Sequence, residues 1–117
     1  MAMPWIKVRA NVREQREVFV TARRLGLARD HVVGLCVRFW AWADGQTTDG
    51  SIDGIRPVDI DAIVEHEGFA AALAEAGWLL VDKRGVIIPN FDRHNGESAK
   101  KRAMDTERKR RRREEVP

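Results

Sequence analysis

Residues 57–88 read PVDIDAIVEHEGFAAALAEAGWLLVDKRGVII, and this stretch decides the fold. Pro57 suits the first position of a helix, where its missing N–H costs nothing. Ile60, Ile63 and Val64 recur at helical spacing, which predicts a helix over about 57–66. Glu67-Gly68 reads as a tight turn. Phe69, Ala72, Leu73 and Ala76 then repeat the helical spacing over 69–76, and Gly77 stops the helix. Two short helices joined by a short glycine-containing turn predict a helix-turn-helix. Residues 78–81 and 86–88 are β-rich runs. Asp82-Lys83-Arg84-Gly85 joins them as a hairpin, with glycine where the loop favours positive φ, and Pro89 ends the second strand.

Upstream, Trp5-Ile6-Lys7-Val8-Arg9 alternates and predicts a short strand. Asn11 followed by Glu14 has capping-box spacing, so a helix is expected over about 12–25, with Val18, Phe19, Ala22 and Leu25 inward and Gly26 as its stop. A second helix is expected over about 30–44. At 100° per residue its apolar residues, Val32, Cys36, Phe39, Trp40 and Ala43 among them, cover an arc of about 220°. That is far wider than the stripe of a surface helix, and it predicts a central helix packed on two sides. His31, Gly34, Arg38 and Ala41 line the remaining strip. Residues 52–55 form a very short expected strand. The order helix, strand, helix, turn, helix, hairpin predicts a mainly α fold with a small β-sheet: a winged helix-turn-helix over residues 1–96, with the hairpin as wing.

The 117 residues suffice for one domain with one core. The chain is 44% hydrophobic and 33% charged, and its formal net charge is +3. That charge is unevenly spread. Residues 1–96 carry 12 Lys and Arg against 13 Asp and Glu, whereas residues 97–117 carry 9 against 5. The basicity belongs to a C-terminal extension that is almost without bulky apolar residues and is expected to be a solvated helix or a disordered arm. There is no apolar run of about 18 residues to span a membrane, and residues 1–12 lack the apolar stretch of a secretory leader. The single cysteine, Cys36, has no internal disulfide partner, as suits a reducing cytoplasm, and it sits in the apolar arc as a core residue.

In the tail, Lys100, Lys101 and Arg102, with Arg108, Lys109, Arg110, Arg111, Arg112 and Arg113, put nine cations in fourteen residues. Such density attracts the phosphate backbone and releases counterions, and the arginine fork binds two oxygens at once. Lys83 and Arg84 at the wing tip are further candidates for phosphate or minor-groove contact, as are Arg93 and His94 where the tail leaves the core. The helix-turn-helix is a poor base reader. Helix 69–76 offers only alanines and Glu75, and the segment before it carries Asp59, Asp61, Glu65 and Glu67, which repel phosphate. It is expected to be a folding unit or a protein-binding surface, with a major-groove reader as the alternative. Asp92-Arg93-His94-Asn95 lacks the rest of a nuclease site, and His31, His66 and His94 lack zinc-site spacing. No enzymatic activity, metal or cofactor is expected.

Several stretches together resemble one family. They are Trp5-Ile6-Lys7-Val8, Arg38-Phe39-Trp40-Ala41-Trp42-Ala43-Asp44, Gly68-Phe69-Ala70, Ala76-Gly77-Trp78-Leu79, and Ile88-Pro89-Asn90-Phe91-Asp92-Arg93-His94-Asn95-Gly96 followed by Ser98-Ala99-Lys100. Their order and spacing are similar to those of the N-terminal winged-helix domains of phage and prophage replication proteins, the initiators and replisome organisers. The resemblance implies binding of double-stranded DNA in replication initiation, at an origin or in recruiting helicase-loading proteins. It also implies a place in the host cytoplasm at the nucleoid, and it leaves homo-oligomerisation open. A small winged-helix transcriptional regulator and a protein-binding replication adaptor are the alternatives.

Overall fold

The computed structural model describes residues 5–91 together with 109, 110 and 112. The elements are a 3-10 turn Val12–Glu14, α1 Arg16–Leu25, α2 Arg29–Asp44, β1 Ser51–Asp53, α3 Pro57–Val64, α4 Phe69–Ala76, β2 Leu80–Val81 and β3 Gly85–Ile87. The strands form one antiparallel sheet in the order β1-β3-β2. From α2 onward the order is helix, strand, helix, helix, hairpin, with the first strand pairing the last. This is a mainly helical fold with a small sheet in winged-helix order, and α1 is an additional helix ahead of it.

The core is shared by all four helices and the sheet, with buried residues from each. Val32, Leu35, Cys36, Phe39 and Ala43 of α2 are buried, and His31, Gly34, Arg38 and Ala41 form its exposed strip, as the wide apolar arc predicts. Phe39 meets Phe69 of α4 edge to face with ring centroids 6.3 Å apart. Trp40, expected at the centre of the arc, is only half-buried. It packs edge to face on Trp78, at 5.5 Å, outside the main core. The cause is rotational: Phe39 takes the position facing α4, which turns Trp40 toward the chain leaving α4.

The N-terminal segment departs from expectation. Residues 5–9 form no strand. Their apolar side chains do not alternate between core and solvent, because Trp5 is 67% exposed and Ile6 borders a cavity of about 260 Å³ with Trp40, Trp78 and Phe91. The single helix expected over 12–25 is broken at Gln15, whose extended backbone ends the 3-10 turn and starts α1. Asn11 makes no capping hydrogen bond with its side chain, so the predicted capping box is absent. The inward face of α1, packed on α4 and α2, also differs from expectation. Thr21 is buried with Val18 and Ala22, whereas Phe19 is 46% exposed beneath the Arg29 guanidinium, 4.3 Å from its ring centroid.

Two glycines allow close approach around the sheet. A Cβ on Gly85 would lie 2.1 Å from the Ile52 carbonyl oxygen, and one on Gly50 would lie 2.6 Å from that of Ile88. Both contacts are with backbone, which has little freedom to retreat. Among the described residues no helix is long and apolar enough to cross a membrane.

Candidate nucleic-acid interface

The wing turn is built around Asp82. Its Oδ1 accepts from the backbone N–H of Arg84 at 2.9 Å and of Gly85 at 3.0 Å, and its own N–H donates to the Gly85 carbonyl at 3.0 Å. An aspartate closing its own turn in this way fixes the tip locally. The Gly54 N–H donates to the Arg84 carbonyl at 2.7 Å, tying the end of β1 to the same tip. On this turn Lys83 is exposed, whereas Arg84, expected at the tip beside it, is half-buried.

Only three of the predicted tail cations are described, and all three are helical: Lys109, Arg110 and Arg112. Arg110 is exposed, and Lys109 and Arg112 are half-buried against the sheet. The Arg112 guanidinium donates through Nη2 to Asp82 Oδ2 at 2.8 Å and Oδ1 at 3.0 Å, and through Nη1 to Asp53 Oδ1. Hydrogen bonding by Arg112, aided by the Arg84 and Gly85 backbone N–H groups, holds the Asp82 carboxyl below its ordinary value. Lys109 and Arg112 border one cleft with Asp49, Ser51 and Ile87. Arg93, His94, Lys100, Lys101, Arg102, Arg108, Arg111 and Arg113 lie outside the described residues.

The second helix of the helix-turn-helix is largely interior. In α4, Phe69, Ala70, Ala72, Leu73 and Ala76 are buried, because the helix packs against both α3 and α1. Its exposed polar group is Glu75, which forms an ion pair with Arg24 of α1. Arg16 of α1 donates through Nη2 to the Ala76 carbonyl at 3.1 Å. The extra helix α1 therefore covers part of the surface of α4.

The acidic residues of the helix-turn-helix have definite structural partners. Asp59 accepts from the Arg56 backbone N–H at 2.9 Å and caps α3. Asp61 accepts from the N–H groups of Gly68 and Ala70, at 2.9 and 2.8 Å, at the start of α4. Glu65 leaves α3 in the left-handed conformation, φ 57°, and pairs with Arg38 at 3.7 Å. Reading these residues only as phosphate-repelling charges misses the capping. The Asx spacing of Asp59 to Arg56 is visible in sequence, but the nine-residue reach from Asp61 to Ala70 is not.

His31 and His66 meet edge to face at 5.9 Å, a pairing their separation in sequence does not announce. Among the described residues no three His, Cys, Asp or Glu side chains come together as metal ligands. Cys36 is buried in the core, and burial pushes its thiol up from 9.0 to about 12. Asp53 and Asp82 as a joint partner for a tail arginine are not foreseeable from spacing, because only the β1-β3-β2 register brings them together. No protein family, curated protein or solved structure matches the chain.

Proposed function

We propose that the chain is a double-stranded-DNA-binding protein of phage-type replication initiation, acting as an origin binder or replisome organiser. One observation carries the DNA-binding part. The wing-tip cations Lys83 and Arg84 and the tail cations Lys109, Arg110 and Arg112 belong to one end of the molecule, since Arg112 is hydrogen-bonded to Asp82 in the same turn. The buried, alanine-rich α4 supports a grip on phosphate more than a reading of bases. The replication role rests on the sequence resemblance. A location at the nucleoid follows from it, and helicase-loading proteins are the partners it suggests.

The test is binding of a labelled duplex over a series of salt concentrations, followed by footprinting on the flanking genome. Phosphate-dominated binding predicts a log K against log salt slope of about −4 to −5 if four to six phosphates are neutralised. Repeated protected sites favour initiation, and a single operator favours the transcriptional regulator. The adaptor reading draws on the outer face of α3, where Val58 is 67% exposed beside the exposed Asp59, Ala62 and Glu65. A chain that binds no duplex but retains a replication protein through this face would replace the DNA-binding reading.

A further inference from the structure

Asp53 and Asp82 stand in one rank across the sheet. Asp53 on β1 is the register partner of Gly85 on β3, and Asp82 directly follows Val81, the last residue of β2, whose partner is Val86. The rank is therefore carboxylate, glycine, carboxylate. The two outer strands are about 10 Å apart, twice the usual strand spacing, and the glycine between them has no side chain. Two like charges held this way favour a cation between them. The Arg112 guanidinium bridges them, with its side chain only 13% exposed. Lys109, three residues earlier on the same helical face, borders the adjoining cleft.

We propose that Asp53 and Asp82 form a seat for the Arg-rich tail of this same chain, and that nucleic-acid phosphate competes with the seat for Arg112. The inference rests on the DNA-binding reading and adds to it a means of control. A guanidinium whose two Nη groups are engaged by carboxylates cannot at the same time fork a phosphate. The seat is nonetheless weak enough to open, because it lies at the surface and salt screens it. A duplex offers phosphates in a continuous row and releases counterions as they are neutralised, which the two carboxylates cannot match. Opening the seat also bares Asp53 and Asp82 beside Lys83 and Arg84, where they repel the same duplex. The body thus lowers the affinity of its own tail, and weak or transient polyanions fail to draw it out.

The experiment uses the full chain in four forms: wild type, Asp53→Asn/Asp82→Asn, Arg112→Gln, and the three substitutions combined. Binding of a random-sequence 20-base-pair duplex is measured at one fixed salt concentration. Neutralising the two aspartates removes a repulsion in either background, but it removes a competitor only when Arg112 is present. The gain in affinity is therefore expected to be about three- to tenfold larger with Arg112 intact than in the Arg112→Gln background. In parallel, the carbon resonance of the Asp82 carboxyl at neutral pH should move on Arg112→Gln, and it should move the same way when duplex is added to the wild type. Equal gains in the two backgrounds overturn the competition while leaving DNA binding intact. So does an Asp82 resonance that ignores a bound duplex. An Asp82 resonance unchanged by Arg112→Gln removes the seat itself. Failure of all four forms to bind duplex overturns the DNA-binding reading and the competition with it.

Discussion

The Asp61 carboxylate accepts a 2.8 Å hydrogen bond from the backbone N–H of Ala70, nine residues on, and so fastens α3 to the beginning of α4. A second bond from Gly68 completes the clasp. Gly68 itself, at φ 88°, has no side chain to cap α4, so the duty falls on a carboxylate from α3. A negative group there also meets the positive end of the α4 dipole. Asp61→Ala should therefore cost about 1–2 kcal/mol, the usual range for a lost cap. Asp61→Asn, which keeps one acceptor, should cost less. Denaturant melts of the two variants check the order, and a neutral Asp61→Ala would show the clasp to be idle.

Burial ranks the aromatic residues of α2. Phe39 is fully buried, whereas Trp40 is half-buried on Trp78. Phe39→Ala should lose about 3–5 kcal/mol through transfer and cavity terms, and Trp40→Ala about half of that. Equilibrium unfolding of both variants decides, and a larger loss at Trp40 would contradict this packing.

Close approach at Gly85 makes a further forecast. An alanine methyl there would strike the Ile52 carbonyl oxygen, so β1 must separate from β3. Gly85→Ala should destabilise the domain by about 2–3 kcal/mol, as overpacking commonly does. Because β1 carries Asp53, the same variant should loosen the Arg112 contact. Hydrogen exchange at the N–H of Gly54, bonded to Arg84, would report both effects.

The Cys36 thiol gives a pH dependence whose sign is fixed by its burial. In the folded chain it titrates at about 12, against an ordinary value of 9.0. Between those values the unfolded chain releases the thiol proton and the folded chain keeps it. The unfolded state then binds fewer protons, so stability falls as pH rises through that window, by up to about 1.4 kcal/mol per unit. Below it the group contributes no slope. Comparing wild type with Cys36→Ala between about pH 8 and 11 isolates this part, since the other titrating groups are common to both. Parallel stability curves would refute it.

The wing and α4 give opposite expectations for DNA. Replacing Lys83 and Arg84 by Ala should weaken binding to all sequences alike and make the salt slope shallower by about one to two units. Glu75→Gln should leave sequence preference unchanged, because Glu75 faces Arg24 of α1. Site selection with the parent and the Glu75 variant checks this, and a shifted preferred sequence would restore α4 as a base reader.

What could be read from the chain alone follows the range of the interactions involved. Helix α4 falls on the residues its periodicity predicts, 69–76, because Gly68 and Gly77 bound it locally. The wing turn is legible for the same reason: Asp82 and Gly85 close it among themselves. Failures begin where the deciding contact is remote. Residues 5–9 alternate in sequence yet pair with no strand among the described residues, and Phe19 yields its inward place to Thr21 where α1 packs on α4 and α2. The Asp53–Arg112–Asp82 contact joins three separate segments through strand register, which composition and spacing do not encode.

The packing of α1 on α4 bears on how this scaffold can be re-engineered. In a helix-turn-helix whose second helix is free, a new binding address is installed by exchanging a few side chains on it. Here five of the eight residues of that helix are interior, and the outer Glu75 is tied to α1. A library built on α4 would sample melting temperatures instead of targets. Variation aimed at altered recognition belongs in the turn between β2 and β3, where Lys83 stands clear of the core and a change of side chain leaves the hydrogen-bonded frame of Asp82, Gly54 and Gly85 in place.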